Sequence, residues 1–71
     1  GVKPLLRNRI SKILLELKKQ GETILLIEHD MNFTLKIADS VVVVDEGKVI
    51  AKGTPSEVKR NKKVLEAYLG E

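Results

Sequence analysis

Two unbroken apolar runs, Ile24–Ile27 and Val41–Val44, constrain this chain more than any other feature. A strand with one solvated face alternates apolar and polar residues. A strand covered on both faces carries a continuous apolar run, as strands of parallel sheets do. Thr23–Glu28 is therefore predicted as a first strand and Val41–Val44 as a second. Strands of this type need more sheet than 71 residues supply, and a bare parallel edge invites aggregation. The expectation is a piece of a larger fold, and the absence of methionine at position 1 points the same way.

The segments around these runs have their own signals. Leu6, Ile10, Ile13, Leu14 and Leu17 recur at three- and four-residue spacing, which predicts a helix over residues 5–20 with one apolar stripe. Pro4 suits its first turn, Lys18 and Lys19 complement the dipole at its end, and Gly21 is a left-handed stop. Asp30 is a cap for a short helix from Met31 to about Ala38, with Met31, Leu35 and Ala38 on its apolar side. Asp45–Lys48 is a turn in which Gly47 is free to take positive φ, and Val49–Lys52 returns as a third strand. Thr54, Pro55 and Glu57 then combine a cap, a first-turn proline and a capping box, starting a helix to about Arg60. Val64–Leu69 forms a last helical stretch.

The predicted order is helix, strand, helix, strand, strand, helix, helix. This is an α/β pattern with one parallel crossover, right-handed by the usual rule, and one antiparallel hairpin. No repeat, low-complexity segment or linker interrupts residues 1–71, so one unit is expected.

Composition narrows the chemistry. There is no cysteine, so neither a disulfide framework nor a thiolate metal site is available, and a reducing compartment fits. One phenylalanine, one tyrosine and no tryptophan make a poor stacking platform for nucleic-acid bases. The net charge of +3 includes a cluster at Lys59, Arg60, Lys62 and Lys63, read as a solvated surface rather than a phosphate or lipid contact. No apolar run approaches the ~20 residues that span a bilayer, so direct membrane insertion is not expected.

His29 is the sharpest chemical residue. It directly follows the first apolar run and precedes a capped helix. In open α/β sheets, ligands bind beyond the carboxyl ends of strands, where a histidine can donate to a phosphate oxygen or hold an attacking water. A histidine that merely satisfies a carbonyl at a strand end would look the same, and on position alone both readings stand. Other constellations are absent. The five glycines are isolated and form no phosphate loop. Ser11, Ser40 and Ser56 show no partner arrangement for a hydrolase triad, and one histidine among scattered carboxylates does not indicate a metal site.

The stretch Thr23–Ile24–Leu25–Leu26–Ile27–Glu28–His29–Asp30–Met31 resembles the switch-histidine segment of ATP-binding-cassette (ABC) ATPases. Ala38–Val41 and Val44–Ala51 look like that family's next two strands, and Gly53–Val58 follows in the usual place. The ending Val64–Glu71 looks like the tail of the branched-chain amino acid branch, and Gly1–Pro4 like a remnant of the D-loop. The resemblance implies that residues 1–71 are a C-terminal fragment of a P-loop ATPase-type domain. It implies that His29 contacts the ATP γ-phosphate and helps orient water. It implies that Gly1, Val2 and Lys3 lie near the second ATPase subunit of a dimer. Lys3 departs from the family, which usually carries aspartate or asparagine there.

The same resemblance places the parent at the inner, cytoplasmic face of the membrane. Its partners would be a second ATPase subunit and membrane permease subunits, with ATP and Mg²⁺ as cofactors. The Walker A loop, signature motif and Walker B segment are not in these residues. The chain alone is therefore expected to need no cofactor, to be inactive in hydrolysis, and to cover its bare edge by self-association, rearrangement or a partner. The alternatives are a non-enzymatic interaction module that docks on another ATPase or permease, and a small basic nucleic-acid binder.

Overall fold

A computed structural model describes residues 3–68. Helix α1 spans Pro4–Lys19, with Pro4 in its first turn. It ends as expected at Gly21, whose φ is 95°. The Gly21 N–H donates to Lys18 O (3.0 Å) and the Glu22 N–H to Leu17 O (3.1 Å). This is the Schellman pair, in which a glycine at positive φ satisfies two terminal carbonyls. Helix α2 spans Met31–Ile37, and Asp30 caps it by accepting from the Phe33 N–H at 3.1 Å.

Strands β1 (Val41–Asp45) and β2 (Lys48–Gly53) form an antiparallel hairpin. Asp45 pairs with Lys48, so only Glu46 and Gly47 make the turn, at φ 50° and 76°. Two successive positive φ values match the right-handed twist of the flanking strands. Gly47 was expected there; Glu46 was not, because a non-glycine residue rarely enters this region. A bulge follows: Val43 opposes Ala51 and Val44 opposes Val49, leaving Ile50 as the extra residue.

Helix α3 (Pro55–Arg60) has the full capping box. The Glu57 N–H donates to Thr54 Oγ1 at 3.2 Å, and the Thr54 N–H donates to Glu57 Oε1 at 3.0 Å. These bonds, the Thr54 N–H first, hold the Glu57 carboxyl below its ordinary pKa. Helix α4 (Lys62–Tyr68) starts two residues earlier than expected. Asn61 Oδ1 accepts from the Lys63 and Val64 N–H groups at 2.9 and 3.3 Å, so one asparagine ends α3 and caps α4. Val41, Val43, Ala51, Val58 and Val64 form the core, with Met31, Leu35, Ala38 and Ile50 packed on it.

Two expectations are corrected. Residues 23–28 carry no strand and, among the described residues, no backbone–backbone hydrogen bond, so the parallel crossover is not formed. The described sheet is the two-stranded antiparallel hairpin alone. A strand exists only through a neighbour's backbone, and the apolar run has none beside it. The class remains mixed α and β, with the order α1–α2–β1–β2–α3–α4. Second, the apolar stripe of α1 is not its packing face. No α1 residue is buried; Leu6, Ile10, Ile13 and Leu17 are exposed, while Arg7, Ser11, Leu14 and Lys18 are half-covered on the side towards α2. The accessible surface is 5768 Å², against about 4,400 Å² for a folded monomer of this mass.

Val64 is 0% exposed and Val58 1%. Val64→Ala should lower unfolding free energy by about 2 kcal/mol in urea titration, whereas Val49→Ala, at an exposed strand position, should stay within about 0.5 kcal/mol. Thr54→Ala should lose about 1 kcal/mol through the cap. Because Glu57 is depressed in the folded state, its share of that cap is present above the unfolded carboxylate pKa and fades as pH falls through the folded one. The difference between Glu57→Ala and wild type should therefore narrow in acid.

Candidate functional site

The structure places His29 at a sharp turn between residues 23–28 and α2, with its side chain 85% exposed. Glu28 organises this turn. Its Oε1 accepts from the His29 N–H at 2.9 Å and from the Asp30 N–H at 3.2 Å. The Asp30 N–H, then the His29 N–H, lower the Glu28 pKa from its ordinary value, and Arg7 adds to the effect. The same Oε1 lies 3.7 Å from His29 Nε2, beyond hydrogen-bond reach, so the imidazole is left facing solvent.

Two basic residues of α1 hold the turn and α2 in place. Arg7 Nη1 approaches Asp30 Oδ2 at 3.4 Å and Glu28 Oε2 at 3.7 Å, and the guanidinium carbon lies 5.1 Å from the centre of the Phe33 ring. At the other end, Lys18 Nζ donates to Ile37 O at 2.9 Å and to Asp39 Oδ1 at 3.0 Å, closing the C-terminus of α2. Arg7 lies off the apolar stripe read from the sequence, and Lys18 had only a dipole role there. The missed signal was the spacing 7, 11, 14, 18, which is itself a helical stripe but a mostly polar one.

Beside His29 lies a concavity of about 730 Å³, between residues 22–29 and the outer edge of β1. Leu14, Ile24, Leu26, Ile37, Val42 and Val44 line much of it. Leu25 and Ile27 are each 89% exposed. Thr34 Oγ1, buried and without a hydrogen-bond partner among the described residues, borders the same space. Tyr68 reaches across from α4 and donates its hydroxyl to Val44 O.

Of the other expected site residues, only Lys3 is described. Lys3 precedes α1 in extended conformation and makes no side-chain cap, while Gly1 and Val2 lie outside the described residues. Among the described residues, no three histidine or carboxylate side chains converge as metal ligands.

Residues 48–71 match the family model described as branched-chain amino acid ATP-binding cassette transporter. The chain is 42% identical over 72 residues to the high-affinity branched-chain amino acid transport ATP-binding protein LivG of Salmonella typhimurium. The whole chain aligns with ATP-binding-cassette transport proteins. It is 38% identical over 72 residues to the corresponding protein BraF of Pseudomonas aeruginosa, and 37% identical over 71 residues to the lipopolysaccharide export system ATP-binding protein LptB of Haemophilus influenzae. Each alignment covers 100% of this chain, but only 28% of the LivG and BraF proteins and 30% of LptB. The ABC resemblance first seen at residues 23–31 thus extends over the full 71 residues. No helix among the described residues is long and apolar enough to cross a membrane.

Lys18→Met keeps the aliphatic stem and removes both hydrogen bonds. It should lower unfolding free energy by about 1 kcal/mol, less than a buried charge-assisted bond because the side chain is partly solvated. A urea titration of the variant against wild type checks this.

Proposed function

We propose that this chain is a C-terminal part of the ATP-hydrolysing subunit of an ABC importer for amino acids of the branched-chain type, and that His29 is its switch histidine. The observation that carries the reading is the position of His29. An exposed imidazole stands at the end of an apolar run, on a turn fixed by backbone hydrogen bonds, within a segment that aligns throughout with ABC ATP-binding proteins. The intact subunit would use ATP and Mg²⁺. It would pair with a second ATPase subunit and with permease subunits at the inner face of the membrane.

The residues present fit one contact of that reaction. His29 has a ring N–H free to donate to a phosphate oxygen, and in phosphoryl transfer such positioning and charge stabilisation supply most of the rate. ATP would supply the transferable phosphoryl group. No step is assigned to Mg²⁺ here, since the described residues offer it no converging ligands. The D-loop role of Lys3 belongs to the same proposal, with Gly1 and Val2 beside it in sequence.

The concavity supports the reading independently. Ile24, Leu25 and Ile27 are exposed, and the backbone groups of residues 23–28 lack ladder partners among the described residues. In an intact ATPase domain, further strands would cover them. The same surface also favours the second reading, a non-enzymatic module that docks on another protein through this face.

In the intact subunit, His29→Ala should lower kcat for ATP hydrolysis by roughly 10²-fold while leaving nucleotide affinity within a few-fold, the pattern of a lost transition-state contact. Phosphate release at saturating ATP, paired with nucleotide titration, checks it. The 71-residue chain alone should neither bind ATP tightly nor hydrolyse it. A Mg²⁺-dependent activity in the purified chain that disappears in His29→Ala would contradict this.

A further inference from the structure

We propose that Arg7 is the positioning residue for the His29 turn: its guanidinium, braced on Phe33, sets the Glu28 carboxylate that binds the His29 and Asp30 N–H groups.

The two Glu28 oxygens divide the work. Oε2 faces Arg7 Nη1 at 3.7 Å, and Oε1 accepts from both backbone N–H groups at 2.9 and 3.2 Å. The same Arg7 nitrogen lies 3.4 Å from Asp30 Oδ2, while the other Asp30 oxygen caps α2 through the Phe33 N–H. Residues on both sides of His29 are therefore tied to one guanidinium. Phe33, 5.1 Å from the Arg7 carbon, restricts where that guanidinium can sit. The charged groups facing Glu28 are Arg7 from α1, and His29 and Asp30 from the turn itself.

A single exposed ion pair would hold little, since such pairs are weak and screened. This arrangement differs in two respects. The Arg7 side chain is 24% exposed and that of Glu28 20%, so both are mostly covered. One donor serves two carboxylates and a ring, which fixes an orientation that a lone pair leaves free. The effect also falls where other support is missing. Residues 23–28 make no ladder hydrogen bonds among the described residues, so the His29 turn takes its geometry from Glu28. The consequence for phosphate contact rests on the switch-histidine reading; the positioning itself does not require nucleotide.

Solution NMR of the 71-residue chain tests it. The His29 and Asp30 amide shifts should move together as pH falls through the Glu28 titration, and Glu28→Gln should abolish that movement. Arg7→Gln should raise the midpoint towards the ordinary glutamate value and reduce the shift amplitude by about half or more, because the carboxylate no longer points at the two N–H groups. Arg7→Lys keeps the charge but loses the planar fork, so it should restore the midpoint in part and the amplitude little. Far-UV circular dichroism reports whether each variant folds. If Arg7→Gln does not fold, the wild-type chain in about 1 M salt, where the Debye length is about 3 Å, should show the midpoint shift in the same direction. Amide titrations that are unchanged in Arg7→Gln, or unchanged by salt where that variant does not fold, would overturn the proposal. Altered titrations combined with an ATPase indifferent to His29→Ala would remove the phosphate reading and leave Arg7's role intact.

Discussion

Backbone N–H and C=O groups in an apolar segment need partners, and helices supply them internally while strands must borrow them. That asymmetry organises this structure. Helices α1 to α4 each close their own ladders, and α2 and α3 form where their caps predict. β1 and β2 satisfy one another across a two-residue turn. Residues 23–28 have neither option within the described chain, and everything unusual about the molecule follows from this. Their apolar side chains stay exposed, a concavity opens between them and β1, and a buried Thr34 hydroxyl lacks a partner beside it.

Features governed by local sequence were legible in advance. The Gly21 stop, the Asp30 cap, the Thr54–Glu57 capping box and the hairpin each depend on residues within about five positions of one another, so a few side chains determine them. Features governed by what lies opposite were not. The four apolar residues of Ile24–Ile27 read as a strand between neighbours, yet their pattern cannot provide those neighbours, and none pairs with them among the described residues. The stripe Leu6, Ile10, Ile13, Leu14 and Leu17 was likewise read as the apolar side of α1, and among the described residues only Leu14 of it is half-covered. α1 instead meets α2 through Arg7 and Lys18, whose long stems cover apolar surface while their charged ends find carboxylates and a carbonyl.

The candidate site divides in the same way. His29 was found from its place after an apolar run and before a capped helix, both of which are local signals. Glu28 was noticed only as a neighbour in sequence. Its work on two backbone N–H groups depends on the turn's geometry, and its link to Arg7 joins residues 21 positions apart. The spacing 7, 11, 14, 18 marks the face of α1 that carries Arg7, but no local pattern names Glu28 as its partner.

Proteins named for branched-chain amino acid transport and for lipopolysaccharide export align over the same residues at 42% and 37% identity. Cargoes that differ so much in size and chemistry would demand different contact surfaces, so residues shared between those proteins are poor candidates for cargo selection. Under the role proposed for His29, a turn that offers one imidazole to a phosphate would have no such conflict, since nucleotide chemistry is indifferent to cargo. The branch-specific match instead covers residues 48–71, which supply β2, α3 and α4 and, in Val58 and Val64, the most deeply buried side chains of the core. The match named for that branch and the candidate chemistry therefore occupy different parts of the chain: the C-terminal helices packed on the hairpin, and the His29 turn across the concavity.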